Sequence, residues 1–564
     1  MAKSKKRNIY DNVTPRIVKM IPLGGLEQIG MNITAFEYGA SIIVVDCGLA
    51  FPSDDMLGVD LVVPDVTYLK DNADKVKGFF ITHGHEDHIG AIPYILKEVN
   101  APIYATRLTM ALIESKLEEH QMLDSVERHI TEYGEVVAKD DFSVEFIRIN
   151  HSIPDACALA IYSPAGTVLH TGDFKIDYSP VVSEHADLQR IAEIGREGVL
   201  ALLSDSTNAI RSGYTPSEIT IRDTFHSLFS SLKMSRVLVA TFASNLNRVQ
   251  LIIDAAAKYG RKVAIEGRSM VNAVEIARNM GYITIPENTL VDMENVTDFP
   301  DEKMCILMTG SQGEAMAALS RVANGQHKKI TITHNDTVIF SSTPIPGNEK
   351  AVSNLMNEIA KRGARVINKA THVSGHACEE ELKLIYALTK PKYAIPVHGE
   401  FRHRKANADI AKQMRVEKEN VILLDSGDVL ELSKDKAEVT GKVQHGGVMV
   451  DGLGVGDVGN IVLRDRQNLS QDGIIIAALA VSKSSGELVS GPELISRGFV
   501  YVREAENLME EAKQAALDAA LRSLDGNYTD WGRIKTEVKE ALGAYVWKAV
   551  KRNPVIIPII LEVE

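Results

Sequence analysis

The chain reads as an α/β protein of layered architecture, with a second, parallel α/β unit inserted into it and a small α+β unit at its C-terminal end. Three patterns predict this. Residues 16–48 alternate β-rich runs with glycine turns, as in Ile17-Val18-Lys19-Met20-Ile21, Gly24-Gly25 and Ser41-Ile42-Ile43-Val44-Val45-Asp46, which marks a β-meander. From about Thr215 to Thr371 the pattern becomes a regular series of strand, glycine- or serine-bearing turn and helix, which suits a parallel sheet. Past a glycine-rich stretch from Gly446 to Gly459 come two strands, two helices and a last strand.

Each element follows from its local pattern. After the meander, an apolar strand runs into Thr82-His83-Gly84-His85-Glu86-Asp87-His88, and helices are expected over 89–99 and 107–119. A strand at 144–149 ends near His151, and one at 168–170 leads into Thr171-Gly172-Asp173. Within the insert, strands 236–240, 262–265 and 304–308 precede helices 247–259, 270–280 and 312–323, and Pro344-Ile345-Pro346-Gly347 marks a rigid corner. Strands at 393–397 and 421–424 resume the first style of fold. The terminal unit is expected to carry strands 473–481, 498–502 and 555–561 with helices 505–523 and 529–551. The implied boundaries are 1–214 and 372–445 for the two parts of the first domain, 215–371 for the insert, 446–472 for a linker and 473–564 for the terminal domain.

The bulk numbers narrow the class. At 564 residues the chain is too long for one core, and about two to four domains are expected. Hydrophobic residues at 45% and charged residues at 24% are ordinary for a globular protein. No apolar run reaches transmembrane length, so no membrane partner is expected. The basic start, Lys3, Lys5, Lys6 and Arg7, lacks a signal-peptide core and reads as a disordered tail. Cys47, Cys157, Cys305 and Cys378 form no CxxC, which suits a reduced, cytoplasmic protein. A net charge of −13 argues against broad coating of nucleic acid, but leaves room for a metal centre that holds phosphate locally.

The chemistry is concentrated in His83, His85, Asp87 and His88, four ligand-type side chains in six positions after an apolar strand. Burying them together costs on the order of several kcal/mol unless something compensates. A divalent cation does so, because neutral imidazole and carboxylate are both good zinc ligands. The spacing is too tight for one tetrahedral ion to use all four, and two adjacent ions fit better. His151, Asp173 and His398 each end a strand, which is how an α/β scaffold brings distant sequence to one point. Any one of these histidines alone would be an ordinary core or surface residue, and Asp46 alone a strand-end turn residue.

His-x-His-x-Asp-His followed by later His, Asp and His resembles the metallo-β-lactamase fold, an αββα sandwich with a two-zinc site. The resemblance implies two Zn2+ per chain, one on His83, His85 and His151 and the other on Asp87, His88 and His398. Asp173 would bridge them, and Asp46 would orient ligands from behind. The long separation of His398 from Asp173, filled by the βα series, resembles the β-CASP branch of that superfamily, whose members are nucleases. The expected architecture is therefore a metallo-β-lactamase sandwich with an inserted β-CASP parallel α/β domain and a small C-terminal α+β domain.

Within that branch the chain is similar to the ribonuclease J family. The segments that carry this are Leu23-Gly24-Gly25-Leu26-Glu27-Gln28-Ile29-Gly30-Met31-Asn32, Ser204 to Ala209, Thr241 to Asn245, Gly310 to Glu314, His372 to His376 and Pro396 to Glu400. Glu27-Gln28 departs from the commoner Gly-Glu. The resemblance implies that Asp205 and His376 are catalytic, His376 protonating the departing 3′-oxygen while Asp205 holds its ring. It also implies that Phe242, Ala243, Ser244 and His372, Val373, Ser374, Gly375, His376 form phosphate-binding loops for a 5′-monophosphate. Arg402, His403, Arg404 and Lys405 could add positive charge or lie on a solvated helix face, and Asp451 could support a structural Ca2+.

The function so implied is a zinc-dependent ribonuclease with 5′→3′ exonuclease and endonuclease activity on single-stranded, 5′-monophosphorylated RNA, acting in mRNA decay and rRNA maturation. A homodimer or homotetramer is implied, with a paralogous subunit or other RNA-decay proteins as further partners. The alternatives are a β-CASP nuclease acting on DNA, a small-molecule hydrolase, and a catalytically silent RNA-binding subunit.

Overall fold

The computed structural model describes residues 16–53, 55–314, 316–345, 348–369, 371–452, 454–499, 506–524 and 531–564. The basic tail, Pro346-Gly347 of the expected corner, most of the expected strand 498–502 and the first residues of both expected terminal helices lie outside the described residues. The chain divides into two compact units. One runs up to Phe51 and continues over Val62–Val448; the other joins Pro52–Leu61 to Met449–Glu564.

Two sheets stack face to face in the first unit. The larger has eight strands in the order Ala437–Lys442, Asp428–Leu432, Val18–Gly24, Ile33–Tyr38, Ser41–Val45, Val76–Phe80, Ile103–Ala105 and Arg128–Ile130. The second has six, Tyr393–Val397, Val199–Asp205, Gly166–His170, Cys157–Ser163, Phe142–Arg148 and Val136–Lys139. Alternate residues explain the stacking. Met20, Phe36, Ile43, Val45 and Phe80 from one sheet pack into a single core with Phe146, Leu159, Val168, Leu203 and Ile395 from the other. The opposite parity of the second sheet, Ile147, Ala158, Leu169, Leu202 and Ala394, packs on Ile191, Leu382, Ile385 and Ile410 from three helices. The result is an αββα sandwich.

Register decides what reaches the site. Val45 pairs in parallel with Phe80, so Asp46 and Ile81-Thr82-His83 leave the sheet side by side. Asp205 pairs with Val397, which puts His398 beside it although their positions are 193 apart in sequence. The expected helix over 89–99 is two single-turn pieces, Glu86–Ile89 and Ile92–Ile95, because Pro93 starts the second piece rather than continuing the first. The helix Arg107–Glu119 has the expected bounds.

The insert is a five-stranded parallel sheet in the order Lys262–Glu266, Met304–Met308, Arg236–Ala240, Asp336–Phe340, Arg365–Ile367. Its three central strands are buried on both faces, as their largely apolar runs require. The expected helix 312–323 is present only as Ala318–Ala323. Gly310 and Gly313 take φ of 104° and 80°, and the Gln312 carboxamide instead accepts from the Ile345 N–H and donates to the Thr343 carbonyl.

In the second unit, Ile474–Ser482 lies between antiparallel Leu488–Arg497 and parallel Val555–Val563, with helices Glu506–Leu524 and Trp531–Val550 on one face. The span 446–472, expected as a linker, carries strands Gly447–Asp451 and Gly454–Val455 and the helix Asn460–Asp472. Asp451 pairs with the Arg466 guanidinium, so its carboxylate is already neutralised by a side chain. Among the described residues, no helix is long and apolar enough to cross a membrane.

Candidate metal centre

Seven side chains with imidazole or carboxylate tips gather around Asp173. Its Oδ2 lies 3.3 Å from His88 Nε2, 3.6 Å from His398 Nε2, 3.8 Å from His83 Nε2 and 3.9 Å from His376 Nδ1. On one side His85 Nδ1 is 3.1 Å from His83 Nε2 and 3.2 Å from His151 Nε2. On the other, Asp87 Oδ2 is 3.6 Å from His88 Nε2 and 3.3 Å from His398 Nε2. Ligand atoms of His83, His85 and His151 form one cluster and those of Asp87, His88, Asp173 and His398 a second, each within 4.8 Å. The centre thus brings together all seven residues expected to hold metal. Asp205 and His376 join Asp173 and His398 in a third, overlapping cluster.

The donor set fits a divalent ion. Nitrogens at 3.1–3.2 Å are close to the edge of a tetrahedron with metal–nitrogen bonds of about 2.0–2.1 Å. Burial and the neighbouring imidazoles push His83 and His151 well below the usual histidine value, and burial takes His85 down to about 4. Three neutral imidazoles are what a zinc site needs. In the second cluster burial also disfavours charge, but Asp173, Asp87 and Asp46 outweigh it and hold His88 up; Asp173 and Asp205 hold His398 at about 10. Carboxylates there attract positive charge, which protons or a metal can supply.

Each metal-directed ring is held from behind by its other nitrogen. Asp46 Oδ2 lies 2.8 Å from His88 Nδ1, Thr82 Oγ1 3.0 Å from His83 Nδ1, Thr207 Oγ1 2.6 Å from His398 Nδ1, and the Gly375 carbonyl 2.8 Å from His151 Nδ1. Asp46 is further fixed by the Thr82 N–H at 2.8 Å. Asp46 and His398 both adopt left-handed backbone, φ 61° and 51°, which aims their side chains inward at a conformational cost. Two glycines permit close approach. A Cβ at Gly48 would lie 1.6 Å from the Asp87 carbonyl oxygen, and one at Gly375 would lie 2.6 Å from His151 Cε1.

His376 Nδ1 lies 2.9 Å from Asp205 Oδ2, and its ring is about one-fifth exposed. Burial opposes its charging, but Asp205 wins and raises it above the usual value. The segment 371–376 is pinned by its carbonyls. Asn208 Nδ2 donates to the His376 carbonyl at 3.0 Å and to Ser374 Oγ at 2.8 Å, and Thr215 Oγ1 donates to the same carbonyl at 2.6 Å. Among the described residues, the N–H groups of Val373, Ser374 and Gly375, and of Phe242, Ala243 and Ser244, have no hydrogen-bond partner. Backbone N–H groups without partners are donors from which an anion can accept. His372 is pushed down to about 3, by burial and then by the charge of Arg248.

The basic run at 402–405 contributes little free charge here. Arg404 is fully buried, donating to the Leu424 carbonyl and pairing with Glu27; Arg402 pairs with Glu400 and Lys405 with Asp409. Thr82, Thr207, Asn208 and Thr215 were not singled out from sequence, although Thr82, Thr207 and Asn208 stand next to or inside segments that were. Asn32, which ends the first glycine-rich segment, donates from Nδ2 to the Asp87 carbonyl at 3.0 Å.

An αββα sandwich with this His/Asp cluster at its strand ends, carrying a parallel α/β insert, is a metallo-β-lactamase superfamily hydrolase with a β-CASP domain. Residues 30–189 match the metallo-beta-lactamase superfamily, and residues 234–359 match the ribonuclease J beta-CASP domain. Residues 360–423 match the Zn-dependent metallo-hydrolase RNA specificity domain, and 461–563 the ribonuclease J C-terminal domain. The chain belongs to the ribonuclease J family. It is 43% identical over 549 residues to ribonuclease J2 of Bacillus subtilis strain 168, covering 97% of this chain and 99% of that one. It is 42% identical to ribonuclease J 1 of Streptococcus pyogenes serotype M3, covering 98% of each, and 42% identical to ribonuclease J of Synechocystis, covering 97% and 87%. A solved protein of unknown function from Enterococcus faecalis V583 superposes with a TM-score of 0.52 at 16% identity, covering 74% of this chain and 100% of that one, a likeness of fold alone. The protein is a metal-dependent, RNA-binding ribonuclease.

Proposed function

We propose that this chain is a two-zinc ribonuclease that digests single-stranded RNA 5′→3′ from a monophosphorylated end and also cuts internally, serving mRNA decay and rRNA maturation in the cytoplasm. The observation that carries it is the pair of donor clusters meeting at Asp173, beside two loops of free N–H groups. His83, His85 and His151 would hold one ion, Asp87, His88 and His398 the other, and Asp173 both. When bound, the ions supply Lewis acidity, neutralising the phosphodiester oxygens and making a water acidic near neutral pH. Asp46, Thr82 and Thr207 keep the ligand rings in place. With Nδ1 on Asp205, His376 has Nε2 left to carry a proton to the departing 3′-oxygen. The N–H groups of 242–244 and 373–375 would receive the terminal phosphate and so set the cleavage register.

The test is digestion of one end-labelled RNA bearing either a 5′-monophosphate or a 5′-triphosphate, with and without chelator, beside the matched DNA. Zinc-dependent release of nucleotides from the monophosphate RNA supports the proposal. Equal cleavage of the DNA, or an inert wild-type chain, supports the nuclease of other specificity or the silent subunit.

A further inference from the structure

We propose that Arg248, with Glu218, is the positioning residue for the 5′-phosphate loop. The inference rests on reading 371–376 as that loop. Arg248 is the third residue of the helix Leu246–Lys258, directly after the loop 242–245, and its N–H is capped by Asn245 Oδ1 at 3.0 Å. Both Arg248 and Glu218 are essentially inaccessible to solvent. A guanidinium offers five N–H donors in a rigid fork, and here every side of it is used. Nε donates to Glu218 Oε2 at 3.1 Å, and Nη2 to both Glu218 oxygens at 2.9 and 3.0 Å. Nη1 donates to the Ser341 carbonyl at 3.0 Å, to Ser341 Oγ at 2.8 Å and to the Thr371 carbonyl at 2.7 Å.

The consequence lies in what these bonds do to the loop. Arg248 fixes the carbonyl at the start of 371–376, while Asn208 and Thr215 fix the one at its end. Holding the carbonyls on one side leaves the N–H groups between them unengaged among the described residues, ready for an anion. Glu218 neutralises the guanidinium, so the buried charge is paired and Arg248 acts on backbone geometry rather than on substrate directly. Because the same side chain leaves the helix that follows loop 242–245, it ties the two phosphate loops together, alongside Ser341, whose carbonyl accepts from Thr241 Oγ1 and whose Oγ donates to the Thr371 carbonyl. Lysine cannot replace it, since an ammonium is a point donor without the fork.

The full-length holoenzyme variants Arg248→Lys, Glu218→Gln and Ser341→Ala test this; Ser341→Ala leaves the buried Arg248–Glu218 pair intact and keeps the test available should the first two fail to fold. Each is assayed on a matched pair of RNAs with a 5′-monophosphate or a 5′-hydroxyl, and for binding of a nucleoside 5′-monophosphate by calorimetry. The expected result is a rise of about tenfold in KM and in the nucleotide Kd for the monophosphate species, with kcat and the 5′-hydroxyl substrate nearly unchanged. Folded variants that keep the wild-type ratio between the two RNAs, or that lose activity on both equally, overturn the proposal. A wild-type enzyme indifferent to the 5′-phosphate instead removes the loop reading, and the proposal with it.

Discussion

Asp173 faces the Nε2 atoms of His83, His88 and His398 within 3.8 Å, an arrangement that only a shared cation or shared protons can stabilise in a buried site. Substituting Asp87 and His88 by Ala should therefore lower cleavage of 5′-monophosphate RNA by about a thousandfold or more while leaving the fold intact, measured by single-turnover digestion and circular dichroism. Asp46→Ala acts one step back, freeing the His88 ring, and should weaken zinc binding about 10- to 100-fold in a competitive chelator titration. The clustered His and Asp side chains were legible in the sequence because six positions held four of them after an apolar strand. Thr82 and Thr207 were not, since a threonine one bond behind a ligand looks like any other threonine. Arg248 was hidden for a different reason: its partners at 218, 341 and 371 are brought near only by the fold.

Strand and helix patterns predicted many of the regular elements but not the helices Leu188–Glu197, Ile219–Ser231, Glu349–Lys361 and Glu379–Thr389, and the strand expected at 421–424 is only a single bridge at Val421. The helix Arg107–Glu119 lay where its pattern placed it, whereas 312–314 does not start a helix, because Gly310 and Gly313 leave helical space and Gln312 binds the 343–345 backbone. One element-level clamp gives a pH prediction. Glu145 on the strand Phe142–Arg148 receives Arg190 Nε at 2.7 Å and Tyr162 Oη at 2.6 Å, tying strand, helix and neighbouring strand together. Burial raises its carboxyl, but the Arg190 and Tyr162 hydrogen bonds outweigh this and hold it below the usual carboxylate value. A depressed folded-state pKa stabilises the protein above the unfolded value and is lost as pH falls through the folded one. Glu145→Gln should thus cost about 1–2 kcal/mol near pH 7 and progressively less toward pH 3, read from thermal unfolding at each pH. A difference that persists undiminished in acid would refute the clamp.

At the scale of the whole molecule, one sheet face of the C-terminal unit carries exposed Ile495, Ile557, Ile559 and Leu561 among the described residues. Ile495, Ile476 and Ile557 stand in one row across three strands, with Ala478 and Ile559, then Ala480 and Leu561, in the rows beside it. This face suits the homodimer or homotetramer that the family resemblance implies, and Ile476→Lys with Ile557→Lys should then reduce the solution mass to that of one chain by light scattering; an unchanged mass removes the assembly role. Metal binding should also stabilise the fold, by about 3 kcal/mol per site at a hundredfold excess over Kd, so chelation should lower Tm and added zinc restore it. The most direct measurement of the central claim is anomalous scattering at the zinc edge from crystals of the full chain grown with zinc. Two peaks flanking the Asp173 carboxylate, one among His83, His85 and His151 and one among Asp87, His88 and His398, are the predicted result. A single peak, or zinc placed away from Asp173, would contradict the account.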